Sequence, residues 1–318
     1  MTTALSTHGD KLTCFTAALA SALVARGETH WWRPLLAGGP QLAVTPAADD
    51  LLLFEHDATP RLPALGLRVH GDDDWATAYN ALEEQVAAHG SVVVLADIFH
   101  LPWQHGHQKW HAPHWLAIVE TIDGWQIEDP LTMTTELGLQ TGQRVPVTSA
   151  AELREWSTSL GAEDTVALLR ETALAGTDDI HIGRTYRWLE SHAAPPPPPR
   201  ADRLVGADAL VALASRYQFA STPEDFTQID DLWQALRQRE LLLWAAEHDA
   251  SVLDADGRAH WEQAVAQWRK LPPLLMHASM RAAAGGTVQT ALIAETLLTL
   301  AEFEGKHLAF AHARPEGE

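Results

Sequence analysis

The chain has 318 residues, of which 46% are hydrophobic, so it is long enough for two ordinary domains with sizeable cores. Acidic residues outnumber basic ones 42 to 22, and the formal net charge of -20 makes nucleic acid an unexpected partner. The sequence contains neither a signal-peptide pattern nor a run near the ~18 apolar residues of a membrane span, so we expect a cytoplasmic protein without membrane association. The single cysteine, Cys14, excludes an intrachain disulfide framework.

The first predicted element is a largely buried helix over residues 12–25, where no helix breaker occurs before Gly27. Cys14 would then lie in its first turn. Helical spacing after an acidic cap predicts a second helix from Trp75 to the residue before Gly90. Between these helices, short apolar runs separated by Pro, Gly and Asp suggest strands or loop edges at residues 42–44, 51–54 and 65–69.

The segment from Val92 to Leu131 combines strong strand signals with a concentration of ionisable side chains. It predicts a buried strand over residues 91–97, a Trp- and His-rich loop over 101–113 and a second strand over 115–121. Asp123-Gly124 is a hairpin signal that leads into a returning strand. We therefore expect a β-meander in this part of the chain.

The remaining elements complete an α+β domain over residues 1–192. Ser149 and Glu152 form the sequence pattern of a capping box, which predicts a helix through Trp156. The segment Tyr186–His192 is interpreted as the end of another helix.

Five consecutive prolines, Pro195–Pro199, can neither pair in a sheet nor continue a helix. Residues 193–202 are therefore predicted to be a proline-rich linker, although the run could also be an interaction motif. Beyond it, helical spacing with almost no β-branched alternation predicts an all-helical domain over residues 203–318. Its expected helices cover residues 207–217, 230–249, 258–271 and 287–305.

Three residues suggest nucleophilic catalysis. A thiol is a strong nucleophile only as the thiolate, which a helix N-terminus and a neighbouring imidazolium favour, and Cys14 is placed for the first of these. His114 opens a predicted strand and can serve as the base. Asp129 ends the strand that the turn pairs with it, so both side chains lie near the same end of the hairpin and can meet. We expect a Cys14, His114, Asp129 triad in a cysteine acyltransferase or hydrolase.

Other interpretations of these residues remain open. A cysteine among Ala and Leu is often a small packed residue, and Asp129 before a proline could simply end a strand. The spacing of the histidines at positions 100, 105, 107, 111 and 114 could suit a transition metal, but no cysteine joins them and we predict no metal site. The candidates for lining a substrate pocket are Trp31, Trp103, Trp110 and His111.

Several segments carry a family resemblance: ADIFHLPW from Ala96, HAPHWLAIVE from His111, QIEDP ending at Pro130, RQRELLLWAAEH from Arg237, and the N-terminal helix with Cys14. In these segments the sequence resembles the butirosin-biosynthesis-H-like proteins, which pair a papain-like cysteine domain with a helical C-terminal domain. The resemblance covers nearly the whole chain.

The resemblance implies an acyltransferase of natural-product biosynthesis with a papain-like catalytic domain, a central antiparallel sheet and an N-terminal helix that carries the nucleophile. Cys14 would take an acyl group from the thioester of an acyl carrier protein, or from a small thioester, and pass it to a small-molecule amine. His114 would be the general base and Asp129 its orienting partner. No cofactor is implied, because the phosphopantetheine thioester is the substrate; a homo-oligomer is compatible with the sequence.

The expected oxyanion donors are the backbone N–H of Cys14 and, as a second donor, His8 or Lys11. With water as the acceptor, the same residues would make a thioesterase, an amidase or a cysteine peptidase. An alternative from another class is a non-catalytic binding or scaffold protein, in which Cys14 is packed and the histidine loop could hold zinc.

Overall fold

The structure is a computed structural model that describes residues 8–37, 39–48, 51–54, 62–135, 137–160, 165–175, 183–192 and 201–306. The helices are α1 (Cys14–Ala25), α2 (Trp32–Leu36), α3 (Trp75–His89), α4 (Ala150–Trp156), α5 (Thr165–Ala175), α6 (Ala207–Tyr217), α7 (Ile229–His248), α8 (Ala255–Trp268), α9 (Leu271–Ala283) and α10 (Thr290–Glu304). The strands are β1 (Ala43–Pro46), β2 (Leu52–Phe54), β3 (Leu67–Asp72), β4 (Ser91–Asp97), β5 (Pro113–Thr121), β6 (Gly124–Asp129), β7 (Met133–Thr135), β8 (Gly138–Gln140), β9 (Gln143–Pro146), β10 (Tyr186–Ser191) and β11 (Leu204–Val205). The protein is therefore α+β with antiparallel sheets, as predicted.

The chain divides into two compact units. The first comprises Met1–Leu35 and Pro60–Pro198, and the second comprises Leu36–Thr59 and Pro199–Glu318. The first domain was predicted to cover residues 1–192 without interruption, whereas residues 36–59 belong to the second unit.

The second unit is not all-helical, which corrects the sequence prediction for this part of the chain. It contains a three-stranded antiparallel sheet in the order β11-β1-β2, in which Val44 pairs with both Leu204 and Phe54. The partners β1 and β11 are far apart in sequence, so no local pattern indicates their pairing. Of the predicted linker over residues 193–202, the part up to residue 200 lies outside the described residues.

The first unit is built on a six-stranded antiparallel sheet in the order β3-β10-β4-β5-β6-β9. Its central strand β4 is buried along its whole length. Val94 and Leu116, which share one face of the sheet, pack with Leu82 of α3 in a hydrophobic core. Trp115, whose side chain points to the other face of the sheet, packs edge-on against Phe15 of α1 with ring centroids 5.5 Å apart. The sheet thus carries α3 and α1 on opposite faces, since successive side chains of a strand alternate between faces.

The predicted β-meander is confirmed. All seven residues of β4 pair with β5, from Ser91 opposite Val119 to Asp97 opposite Pro113. Thr121 pairs with Gly124, so the hairpin turn consists of Ile122 and Asp123, one residue earlier than Asp123-Gly124. Gly124 has φ +114°, a backbone conformation that favours glycine. The turn brings the start of β5 and the end of β6 to the same edge of the unit.

Local capping signals predicted helix starts well. Asp74 accepts a hydrogen bond from the Thr77 N–H and opens α3, and Ser149 accepts one from the Glu152 N–H and opens α4. Gly90, with φ +72°, ends α3 as expected.

The segment Tyr186–Ser191 was predicted to end a helix, and this prediction is wrong. It forms strand β10, which pairs with β3 along its length and with β4 at Arg187 and Trp188. A short run of mixed apolar and polar residues does not distinguish strand from helix by its period. Strands far away in sequence decide the conformation here.

The sequence predicted the helices of the second unit except α9. The region predicted as one helix over residues 258–271 belongs to α8 and to the first residue of a further helix, α9. Two prolines, Pro272 and Pro273, lie in the first turn of α9, where the missing N–H groups cost no intrahelical hydrogen bond. The sequence prediction ended a helix directly before these prolines and placed none after them until residue 287, so it missed α9.

The second unit contains a buried ion pair, and removal of one of its partners is expected to destabilise the protein strongly. The Arg239 Nε lies 2.8 Å from Glu304 Oε1, and its guanidinium stacks 4.1 Å from the ring centre of Trp268. Removing one partner of a buried pair leaves an uncompensated charge, so Arg239→Met should lower the free energy of unfolding by about 3–5 kcal/mol in denaturant titrations. The control Arg258→Met removes a part-exposed pair with Glu262 and should cost at most about 1 kcal/mol. Equal losses in the two variants would contradict this assignment.

None of the helices in the described part of the chain is both long and apolar enough to cross a membrane.

Candidate active site

Cys14 is the first residue of α1, and the chain before it caps the helix. The Thr16 N–H donates to Thr13 Oγ1 at 3.2 Å, and the Thr13 N–H donates to Thr16 Oγ1 at 2.9 Å, so the two threonines form a capping box. The N–H groups of Cys14 and Phe15 are not used by this cap and make no hydrogen bond to another described residue. Cys14, a partly exposed residue, therefore lies at the positive end of a helix, next to unused N–H donors.

His114 lies near the start of β5 and connects the cysteine to the sheet. Its Nε2 is 3.0 Å from Asp129 Oδ2, and its ring also hydrogen-bonds the Cys14 sulfur, which leaves Nδ1 as the atom that faces Cys14. The backbone N–H of Trp115 donates to the same sulfur. Strand β6 pairs with β5 only as far as Ala117, so the Trp115 N–H is not needed by that ladder. The sulfur thus accepts two donors from consecutive residues of β5.

Asp129 ends β6 and is 2% exposed. Three donors converge on its Oδ2: Trp103 Nε1 at 2.8 Å, Gln104 Nε2 at 2.6 Å and His114 Nε2 at 3.0 Å. Its other oxygen, Oδ1, is buried and has no hydrogen-bond partner among the described residues. Such concentration of donors on one oxygen holds the carboxylate ionised and fixes its orientation toward His114.

The three groups keep one another charged against the cost of burial. Burial raises the pKa of Cys14, but the hydrogen bond and charge of His114, with the N–H of Trp115, outweigh it and lower that pKa overall. Burial lowers the pKa of His114, whereas the charge and hydrogen bond of Asp129, followed by those of Cys14, raise it to about 10. Burial raises the pKa of Asp129, and His114 with the neighbouring donors holds it below its ordinary value. The three groups therefore favour one another's charged forms: the thiolate of Cys14, the imidazolium of His114 and the carboxylate of Asp129.

Two glycines lie close to the carbonyl group of Pro130, the residue that follows Asp129. A Cβ atom on Gly9 would lie 1.7 Å from the Pro130 carbonyl oxygen, and one on Gly142 would lie 2.7 Å from it. The Gly9 carbonyl accepts a hydrogen bond from the Thr132 N–H at 3.1 Å. These contacts join the turn before Cys14 directly to the chain after Asp129, so the distance between Cys14 and Asp129 depends on a side chain being absent at Gly9.

We expect Gly9→Ala to reduce turnover by roughly a hundredfold, because a misplacement of about 1 Å in a reacting group can have that effect. The added methyl would overlap backbone atoms, which cannot rotate away. Steady-state kinetics beside a thermal melt separates loss of alignment from loss of folding. Gly286→Ala is the control, since its Cβ would meet only the end of the flexible Arg281 side chain at 3.0 Å. Full activity in Gly9→Ala would refute the contact.

The predicted oxyanion donors lie at the N-terminus of α1 and in the turn before it. The N–H of Cys14 is held in place by α1, as described above. His8 precedes the 3-10 turn Gly9–Lys11 and Lys11 is its last residue, with the Lys11 Nζ in an ion pair with Asp10 Oδ2 at 2.6 Å. A role for either side chain as a second oxyanion donor stays a prediction.

The predicted substrate-lining residues have different positions. Trp103 supports the triad through its indole N–H on Asp129, which the sequence interpretation missed. Trp31 is buried and packs edge-on against Trp32, and Trp110 is 36% exposed. A substrate-lining role for these tryptophans stays a prediction.

His111 belongs to a second carboxylate–imidazole pair. Its Nδ1 lies 2.5 Å from Oδ2 of the buried Asp97, and its ring stacks on Phe99 at 4.3 Å. Asp97 Oδ1 accepts the N–H groups of Phe99 and Ala112, both at 3.1 Å. Asp97 thus holds the start of the histidine-rich loop at Phe99 and its end at His111 and Ala112 against the end of β4. The His111 side chain is 55% exposed.

The histidine loop does not gather metal ligands within the described residues. No group of three or more His, Cys, Asp or Glu side chains there is arranged to hold a metal ion. His114 is engaged with Cys14 and Asp129, and His111 with Asp97.

Sequence reasoning missed the polar residues behind the triad. Gln104 contacts Asp129 and lies 3.1 Å from His114 Nε2, and Gln140 donates to Gln104. Both glutamines lie in segments without a recognisable motif, so only their three-dimensional neighbours identify them.

A scan of protein-family models and a search of the curated proteins returned no match for this chain. The function therefore has to be inferred from the geometry of the site.

Proposed function

We propose that the protein is a cysteine-dependent acyltransferase that works through a Cys14, His114, Asp129 triad. One observation carries the proposal: a partly exposed cysteine at a helix N-terminus hydrogen-bonds a histidine whose other ring nitrogen is 3.0 Å from a buried aspartate. This combination is the one that activates a cysteine nucleophile. A packed, inert thiol would need neither a lowered pKa nor an imidazolium partner.

In the proposed reaction the Cys14 thiolate attacks the carbonyl carbon of an acyl thioester. The tetrahedral oxyanion receives the backbone N–H of Cys14, and its collapse expels the substrate thiolate, which takes the proton from His114. His114 is then neutral and accepts a proton from the incoming amine as that amine attacks the acyl-enzyme. Collapse of the second intermediate releases the amide and restores the Cys14 thiolate. Asp129 keeps the Nε2 proton in place throughout.

The arrangement of the first unit supports a papain-like domain. In that type of domain the nucleophile opens a helix that packs on an antiparallel sheet, and the sheet supplies the base and its partner, as α1, β5 and β6 do here. The resemblance to the butirosin-biosynthesis-H-like proteins adds an acyl carrier protein or small phosphopantetheine thioester as donor and a small amine as acceptor. The cytoplasmic location that the sequence predicts is part of the same proposal. With water as acceptor, the same site would act as a thioesterase, an amidase or a peptidase.

The test is intact mass spectrometry after incubation with a panel of acyl-pantetheine thioesters. We expect a mass increase of one acyl group on the wild type and none on Cys14→Ala. Release of the adduct by added amines, with the amide recovered, identifies transfer; release in buffer alone identifies hydrolysis. No Cys14-dependent adduct or turnover across a broad panel would favour the non-catalytic alternative.

A further inference from the structure

Two buried glutamines form a chain of hydrogen bonds that ends on Asp129. Gln104 Nε2 donates to Asp129 Oδ2 at 2.6 Å, and Gln140 Nε2 donates to Gln104 Oε1 at 2.5 Å. The backbone N–H of His105 donates to Gln140 Oε1 at 3.0 Å. Gln104 and Gln140 are 8% and 5% exposed, so water offers little replacement for a lost partner.

The direction of this chain is determined by its first member. A side-chain amide can rotate and exchange its oxygen with its nitrogen, but a backbone N–H is only a donor. The His105 N–H therefore requires the oxygen of Gln140, which turns the Gln140 nitrogen toward Gln104. That nitrogen in turn requires the Gln104 oxygen, so the Gln104 nitrogen faces Asp129.

The orientation of Gln104 matters because the same nitrogen lies 3.1 Å from His114 Nε2. With Gln104 as observed, the Nε2 proton of His114 has Asp129 as its acceptor. A reversed Gln104 would place an amide oxygen beside the carboxylate, where it repels, and beside Nε2, where it competes with Asp129 for the proton. The catalytic function of a carboxylate–imidazole pair depends on which atom holds that proton.

We propose that Gln104 and Gln140 are positioning residues, which act through Asp129 to keep the proton of His114 on Nε2 and the Cys14 thiol ionised. The inference deepens the proposed function and uses it only for the turnover measurement, because the ionisation of Cys14 can be measured without substrate. Gln140 acts on the site solely by orienting Gln104.

The experiment measures the rate of Cys14 alkylation by iodoacetamide against pH, beside acyl turnover, in Gln104→Leu, Gln140→Leu and the double variant. We expect the midpoint of alkylation to move to higher pH in each, and turnover to fall roughly tenfold to a hundredfold, as for loss of one hydrogen bond to a charged group. Because Gln140 acts through Gln104, the double variant should match Gln104→Leu alone. Gln126→Leu is the matched control, since Gln126 bonds Glu128 on the same sheet.

Gln140→Glu tests the direction of the chain. It keeps the acceptor for the His105 N–H but presents an oxygen to Gln104 Oε1, which favours the reversed amide. At neutral pH it should cost more turnover than Gln140→Leu, although a purely structural role predicts that the more conservative change is milder. Should a leucine variant fail to fold by thermal melt, Gln104→Met and Gln140→Met replace it, since the flexible side chain adapts to the same space.

Alkylation profiles of the glutamine variants that coincide with that of the wild type would overturn the inference. An acidic wild-type thiol that no thioester acylates would refute the proposed function alone, and the alkylation profiles would still decide the role of the glutamines. A wild-type thiol with ordinary acidity would refute both.

Discussion

Replacing His114 by glutamine is expected to convert Cys14 from a reactive thiolate into an inert thiol and to lower acyl turnover by roughly four to six orders of magnitude. His114 supplies the two largest influences that lower the pKa of Cys14, its hydrogen bond and its charge. Without them, burial and the charge of Asp129 raise that pKa, and only the N–H of Trp115, a smaller influence than burial, still lowers it. The thiol pKa should therefore move from below its ordinary value to above it.

The measurement is the rate of iodoacetamide alkylation of Cys14 at a series of pH values. In the wild type the rate should rise at a pH well below about 8.5 and stay level until His114 loses its proton near pH 10. In His114→Gln the rise should begin above about pH 8.5. His70→Gln is the control, because His70 lies in the same sheet beside Glu190 and half-exposed. An unchanged profile in His114→Gln would show that the imidazole does not ionise the thiol.

Asp129→Asn is expected to reduce turnover by roughly 10⁴-fold, as observed for the same change in other catalytic triads. The charge of Asp129 is the largest influence that raises the pKa of His114, so its loss leaves burial opposed mainly by Cys14, and the pKa of the imidazole should fall. Asp129 also acts directly on Cys14 in the opposite sense, but this is the smallest of the influences on the thiol. The thiol pKa should therefore rise, although less than in His114→Gln.

The shape of the site adds to this effect. An asparagine would place its NH₂ group either against the three donors on Oδ2 or at the buried position of Oδ1, which has no partner among the described residues. Either choice costs free energy and allows the imidazole to hold its proton on the wrong nitrogen. The alkylation profile tests the expected rise of the Cys14 pKa, and turnover measured beside it tests the loss of a correctly placed proton on His114.

Asp97→Asn is the informative comparison for this prediction. Asp97 is also a buried carboxylate with a histidine partner, His111, but it makes no hydrogen bond to Cys14, His114 or Asp129 among the described residues. Its replacement should lower stability and leave the alkylation profile in place. A shift as large as that of Asp129→Asn would mean that the profile reports general loosening of the unit.

The parts of this protein that could be predicted from sequence depend on neighbouring residues. Thr13 and Thr16 cap the helix that carries Cys14, and β4 has the apolar run of a strand buried on both faces. The turn at Ile122 and Asp123 makes β5 and β6 neighbours, so the register of one hairpin brings His114 and Asp129 together. The proximity of Cys14, His114 and Asp129 was predictable because each of these positions has a local signal.

The parts that could not be predicted depend on residues far apart in the chain. Strand β10 was mistaken for a helix because its neighbours β3 and β4 determine its conformation. Residues 36–59 were assigned to the wrong domain because β1 pairs with β11, from the other half of the chain. Gln104 and Gln140 carry no motif, and their relation to Asp129 follows from the packing of the histidine-rich loop and strand β8 near the end of β6.

By itself, then, the amino-acid sequence determined the α+β class, the helix N-terminus at Cys14 and the hairpin that joins His114 to Asp129, since caps, turns and hydrophobic periods act over a few residues. The tertiary structure decided the strand order, the composition of the two units and the hydrogen bonds that orient the carboxylate. It also decided the ionisation of the triad, because burial and charge depend on which side chains share the same space.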